Sequence, residues 1–186
     1  MPNALSILRI LCALMLVPAA LLTRRSVFVA LLLAAYVTDA ADGFLARRLG
    51  VSSDLGRLLD SLGDYVLVLM LLPGLFFLWP ALMRAEAWWI ALAVVTYFAP
   101  TVWSLIRWRT VPGLHTWASK GLAIAMSVAL PLALLGGPVW PFRLACGLQL
   151  LVAAEEFAIL QRMPGHSGHV ATVFVKRADG QADSWR

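Results

Sequence analysis

Asp39 and Asp42 stand three apart in the run Tyr36-Val37-Thr38-Asp39-Ala40-Ala41-Asp42-Gly43-Phe44-Leu45-Ala46-Arg47, and Asp60 and Asp64 stand four apart after Gly56. On a helix, each spacing puts its pair of carboxylates on one face. The connection between the two runs, residues 48–55, is short enough to make the helices antiparallel neighbours. The four carboxylates can therefore converge, with small residues around them leaving space. Each costs roughly 2.5–3.5 kcal/mol near the centre of a membrane helix, and mutual repulsion adds to that cost. A proton path, a helix cap or a pairing with Arg47 or Arg57 would account for one such aspartate. Four together are better satisfied by a divalent cation, or by two. All-oxygen ligation suits a hard ion, Mg²⁺ or Mn²⁺.

Hard ions at a membrane surface typically bridge and polarise phosphate oxygens. Gly43 and Gly56, lacking side chains, let a nucleotide or pyrophosphate approach the helix backbone. Arg47 offers a planar fork for phosphate. Ser52 and Ser53, in the connection, can donate hydroxyls to a ligand or cap the following helix. The chemistry these residues imply is phosphoryl transfer on a lipid.

Such residues need helices that cross a bilayer, and the composition supplies them. Of 186 residues, 61% are hydrophobic and 13% charged, far from the balance of a soluble domain. Runs of about 20 apolar residues suffice for a span, and the chain has room for about six, near residues 4–22, 26–49, 56–80, 87–106, 117–135 and 139–160. The expected fold is an all-α integral membrane bundle of about six transmembrane helices. It forms one membrane domain, residues 1–162, followed by a polar tail, 163–186. The first run contains Arg9 and no small-residue cleavage site follows it, so it reads as a retained span. A net charge of +5 would suit nucleic acid, but most basic residues flank apolar runs, which points to the membrane surface instead. With the N-terminus inside, Arg9, Arg47, Arg48, Arg57, Arg107, Arg109, Lys120, Arg162 and the basic residues of the tail fall on the cytoplasmic side. Arg24, Arg25, Arg84 and Arg143 fall opposite, so the site is expected to face the cytoplasm. Cys12 and Cys146 lie within apolar runs and read as core residues, not as a disulfide or a metal site.

Written out, Asp39-x-x-Asp42-Gly43-x-x-Ala46-Arg47, eight residues, then Gly56-x-x-x-Asp60-x-x-x-Asp64 resembles the signature of the CDP-alcohol phosphatidyltransferases. Pro2-Asn3 followed by Arg9 is similar to an N-terminal element of many bacterial members, and six spans fit as well. The resemblance implies that Asp39, Asp42 and Asp60 hold metal ions gripping the pyrophosphate of a CDP-linked lipid. Asp64 contributes to the metal site and acts as general base on the incoming alcohol. Gly43, Ala46, Arg47, Ser53 and Gly56 match positions lining the cytidine-diphosphate pocket. It further implies two ions, Mg²⁺ or Mn²⁺, release of CMP, a homodimer, and a place in the inner or plasma membrane of a bacterium.

For the acceptor, the chain departs from well-known subgroups: Tyr65 follows the last aspartate where glycerol-phosphate and cardiolipin-type enzymes often have lysine. Arg107, Arg109 and Lys120 are expected near the cytoplasmic ends of the fourth and fifth spans. They would either bind a phosphorylated acceptor such as glycerol 3-phosphate or anchor helix ends at anionic headgroups. Glu155 and Glu156 are read as structural, and His166 and His169 as poor evidence for zinc. Phosphatidylinositol or phosphatidylinositol-phosphate synthesis is the alternative within the family. A cation transporter or a catalytically dead scaffold is the alternative outside it. A transporter would spread its acidic residues over several helices with a path to the far side, whereas these gather on two.

Overall fold

The computed structural model describes residues 2–49, 54–109 and 116–162, with side chains over 5–42, 61–109 and 116–162. Among the described residues are seven helices and no strand: α1 (Pro2–Leu21), α2 (Arg25–Leu49), α3 (Asp54–Leu78), α4 (Pro80–Ala85), α5 (Ala87–Trp108), α6 (Trp117–Leu134) and α7 (Trp140–Arg162). The expected all-α membrane bundle is what forms. Ser61–Leu78, Ala87–Trp108, Trp117–Leu134 and Trp140–Arg162 are each long and apolar enough to cross a bilayer, and α1 contributes a shorter apolar stretch, Leu5–Leu21. The second half of α2 carries Asp39, Asp42, Arg47 and Arg48, which dilute its apolar character. The extra element, α4, has six residues and starts at Pro80, whose fixed φ and missing N–H suit a first helical position. Pro73, Pro100 and Pro131 lie inside α3, α5 and α6 without ending them.

The packing depends on spacing. Ser6, Arg9, Ala13, Leu16 and Ala20 recur along α1 at alternating steps of three and four, and all are buried. On α2, Phe28, Leu32, Ala35, Asp39 and Asp42 recur at the same steps. This is the period of a knobs-into-holes seam. Its apolar part forms the core, and its polar part collects at one end. α1 lies along both α2 and α3, and among the described residues α2 meets α3 over a smaller area than either meets α1. The sequence suggested that α2 and α3 are neighbours, and they do meet; α1, in addition, bridges the two. α5 and α6 pack on α7, and α2 also touches α6.

The opposite end of the seam is closed by apolar and paired groups. The Phe28 ring lies against Gly74 of α3 so closely that a Cβ there would overlap it. Phe28 also packs on Trp79, with ring centroids 5.5 Å apart, and Trp79 Nε1 donates to the Leu134 carbonyl at 3.0 Å. The starts of α5 and α7 are tied by Arg143 of α7, whose Nε and terminal nitrogen donate to the two carboxylate oxygens of Glu86 at 2.8 and 2.6 Å. The turn from α1 into α2 is tight. Arg24 N–H reaches the Ala19 carbonyl and Thr23 N–H the Ala20 carbonyl, both at 3.0 Å, with Thr23 at φ 54°. That is the hydrogen-bond pattern of a Schellman cap, and it turns the chain directly into α2.

Candidate metal and phosphate site

The polar end of the α1 seam meets the aspartates. Ser6 Oγ donates to Asp42 Oδ2 at 2.5 Å. One turn on, the Arg9 guanidinium donates to Asp39 Oδ1 and lies 3.4 Å from Asp64 Oδ1. Three of the four sequence-identified aspartates thus come together from α2 and α3, and helix α1 is what joins them. Asp60 lies within α3, as Gly56 does; the Asp60 side chain is outside the described residues. The same holds for the side chains of Ala46 and Arg47 on α2, where Gly43 also lies, while Ser53 is wholly outside them.

Burial divides the cluster. Arg9 is 1% exposed and Ser6 2%, whereas the Asp39 and Asp64 side chains are 46% and 39% exposed. An Arg side chain so enclosed must be paired, since an isolated buried charge is very costly. Sequence reading placed Arg9 within the first span and counted it among the cytoplasmic-side cations; in the fold it is an interior counter-ion. The i,i+3 spacing of Ser6 and Arg9 inside an apolar run was the signal available for this. Room for the guanidinium comes from Gly63: a Cβ there would lie 2.5 Å from Arg9 Nε and 2.9 Å from Cζ.

Among the described residues, no three His, Cys, Asp or Glu side chains are grouped so as to hold a metal ion. The donor set nevertheless fits a hard cation on one observation. Asp42 Oδ1 is buried and accepts no hydrogen bond from the described residues, although a carboxylate oxygen out of water needs a partner. Asp39, Asp42, Asp60 and Asp64 would be the ligating oxygens, which is the chemistry of Mg²⁺ or Mn²⁺ and not of zinc.

Behind Asp64, the chain turns by about 100° per residue, and Tyr65 faces α5. Its hydroxyl hydrogen-bonds Thr101 Oγ1 at 2.9 Å, and its ring packs on Tyr97 and Phe98 at 5.8 and 5.6 Å. This contact, which sequence reading missed, couples the aspartate end of α3 to α5. Arg107 and Arg109 lie exposed at the C-terminal end of α5, with Arg109 capping it at φ 56°. Lys120, in the first turn of α6, extends over the Trp117 ring at 5.5 Å. Thr116 caps that helix by accepting from the Ser119 N–H at 3.1 Å. Glu155 lines an apolar groove of about 640 Å³ between α6 and α7, beside Ala118, Gly121 and Ala125. His166 and His169 belong to the tail, outside the described residues.

A multi-span α-bundle with acidic groups gathered at one end of its first three helices is the architecture expected of a membrane enzyme acting at a lipid headgroup. Residues 1–160 match the family described as CDP-alcohol phosphatidyltransferase. Relatives from Mycobacterium bovis (strain ATCC BAA-935 / AF2122/97) and Mycobacterium tuberculosis (strains CDC 1551 / Oshkosh and ATCC 25618 / H37Rv) each bear the name "Putative cardiolipin synthase". Each is 34% identical over 166 residues, covering 81% of this chain and 73% of the relative. No solved structure gives a significant match. The chain belongs to the CDP-alcohol phosphatidyltransferase family, membrane transferases of phospholipid biosynthesis.

Proposed function

We propose that the chain transfers the phosphatidyl group of CDP-diacylglycerol to a hydroxyl of a glycerol phosphate ester, releasing CMP, with the help of Mg²⁺ or Mn²⁺. The observation that carries this reading is the convergence of Asp39, Asp42 and Asp64 on Ser6 and Arg9 at one end of the bundle. Asp39, Asp42, Asp60 and Asp64 hold two ions, and these, when bound, neutralise charge on the pyrophosphate and on the departing phosphate. Gly43, Ala46, Arg47, Ser53 and Gly56 seat the cytidine diphosphate. Asp64 accepts the proton of the acceptor hydroxyl. The hydroxyl oxygen forms the new bond to the lipid-bearing phosphorus. The bond from that phosphorus to the bridging oxygen breaks, and CMP leaves with the electron pair. Partial exposure of Asp64 supports this role, since the acceptor has to reach it.

The acceptor is a glycerol unit carrying a phosphate. Glycerol 3-phosphate fits the cations Arg107, Arg109 and Lys120; phosphatidylglycerol, the other member of that chemical class, fits the name borne by the mycobacterial relatives. The basic residues of the sequence support a site facing the cytoplasm, and the family resemblance supports a homodimer. The deciding assay is CMP release from CDP-diacylglycerol by detergent-purified protein with Mn²⁺. Glycerol 3-phosphate, phosphatidylglycerol, inositol, inositol phosphate and serine are compared, with Asp64→Asn alongside. Release that needs one glycerol phosphate ester and Asp64 supports the proposal and names the acceptor. Release with inositol or serine alone refutes the acceptor class. No release from folded, Mn²⁺-bound protein with any acceptor refutes the reaction.

A further inference from the structure

We infer that Arg9 is a positioning residue of the metal centre, fixing Asp39 and Asp64 across three helices, and that Gly63 is side-chain-free so that the guanidinium can reach them. The inference rests on the proposed metal site, but it concerns helix α1, which supplies none of the proposed ligands. Three observations carry it. Arg9 is 1% exposed, so its charge is satisfied inside the protein and not at a headgroup. Its guanidinium engages carboxylates on two different helices, Asp39 of α2 and Asp64 of α3. Its path crosses Gly63, where an added Cβ would come within 2.5–2.9 Å of Nε, the terminal nitrogen and Cζ.

The geometry explains what such a residue contributes. Among the described residues α2 and α3 meet less extensively than either meets α1, and their Phe28–Gly74 contact lies ten or more residues from Asp39 and Asp64, so the distance between carboxylates on the two helices needs a further tie. A planar guanidinium holding one oxygen from each does fix it. Ser6, one turn earlier, does the same for Asp42 by donating to Oδ2, which leaves the buried Oδ1 for another partner. α1 therefore acts as the outer shell that orients ligating oxygens, a role whose loss typically weakens metal affinity about 10–100-fold. The cationic Arg9 does not exclude metal, because the Asp39 and Asp64 side chains remain 46% and 39% exposed.

The test is Mn²⁺ binding to purified protein without lipid substrate, followed by electron paramagnetic resonance of free Mn²⁺, for wild type, Arg9→Gln, Arg9→Lys, Gly63→Ala and Asp42→Asn. Arg9→Gln and Gly63→Ala are each expected to weaken Mn²⁺ binding roughly 10–100-fold, with Arg9→Lys between them and wild type. Gly63→Ala keeps every charge, so a loss there reports displaced geometry and not altered net charge. CMP release by both variants should recover as Mn²⁺ is raised, which a general folding defect would not do. Should Arg9→Gln not fold, Gly63→Ala and Arg9→Lys carry the same test. Wild-type or tighter Mn²⁺ affinity in folded Gly63→Ala or Arg9→Gln overturns the inference, making Arg9 a structural pair or a competing cation. If Asp42→Asn alone loses Mn²⁺, the metal site stands and only the role of Arg9 falls. A wild-type protein that binds no Mn²⁺ overturns both.

Discussion

Gly74→Ala separates packing from chemistry in this fold. A methyl at position 74 would overlap Cε2 and Cζ of the Phe28 ring and lie 3.2 Å from Cδ2. The first two approaches are shorter than 2.5 Å, and ordinary contact begins at 3.4 Å, so the ring would have to retreat by more than 0.9 Å. It has little freedom to do so: Phe28 is fully buried and packs on Trp79. Overpacking of a filled core costs about 1–3 kcal/mol, and this overlap belongs in the upper half of that range. Replacing glycine by alanine in a helix returns about 0.8–1 kcal/mol. The net expectation is about 1–2 kcal/mol of destabilisation, the difference between those two effects. It is read from unfolding in mixed micelles with increasing SDS. Phe28→Leu makes room, so the double variant should be less destabilised than the sum of the single ones by about 1 kcal/mol. Gly74 lies ten residues, or about 15 Å of helix, from Asp64, so CMP release per folded molecule should persist. A neutral or stabilising Gly74→Ala, or strict additivity with Phe28→Leu, would refute the claim that α2 and α3 lock through this ring.

Other expectations address different parts of the molecule. Glu86 is held below its ordinary value of 4.5, first by its hydrogen bonds to Arg143. The unfolded state therefore takes up a proton more readily than the folded one, and stability falls as pH drops below about 4.5 and through the lowered folded value. Glu86→Gln should flatten that part of a stability-versus-pH curve measured from pH 3 to 6, and an unchanged slope would count against the pair. Chelation of divalent ions should abolish CMP release reversibly, with Mn²⁺ or Mg²⁺ restoring it and Ca²⁺, larger and less demanding in geometry, restoring less. Activity that survives exhaustive chelation removes the metal from the reaction. Arg107→Gln and Lys120→Gln should raise KM for glycerol 3-phosphate about tenfold, the loss of one charge-assisted contact, while leaving KM for CDP-diacylglycerol unchanged. Equal KM values for wild type and both variants would assign these cations to headgroup anchoring.

What the sequence disclosed and what it hid follow from the range of the interactions. The aspartate pairs were legible because i,i+3 and i,i+4 spacing is local and because carboxylates in apolar runs demand a reason. The spans were legible because length and hydropathy are local too. Arg9 could be placed in the first span, but its partners lie 30 residues and more away, and no local period links them. Glu86 and Arg143 are 57 residues apart at the ends of different helices, so their pairing is a consequence of packing alone. The same is true of Tyr65 and Thr101. The short helix α4 was missed because Pro80 reads as a terminator of one span, while in the fold it starts a new turn.

The buried Arg9 also bears on how the protein is assembled. α1 leaves the ribosome before α2 and α3, carrying a cation within an apolar segment, and that segment inserted alone would carry a cost of roughly 2.5–3.5 kcal/mol if the charge reached the bilayer centre. Its counter-charges, Asp39 and Asp64, are synthesised later, on α2 and α3. Until they arrive, Arg9 is best accommodated by snorkelling to the interface, and α1 settles to its final depth only when both carboxylates are available. The ion pairs of Arg9 thus tie the final placement of α1 in the bilayer to the arrival of α2 and α3.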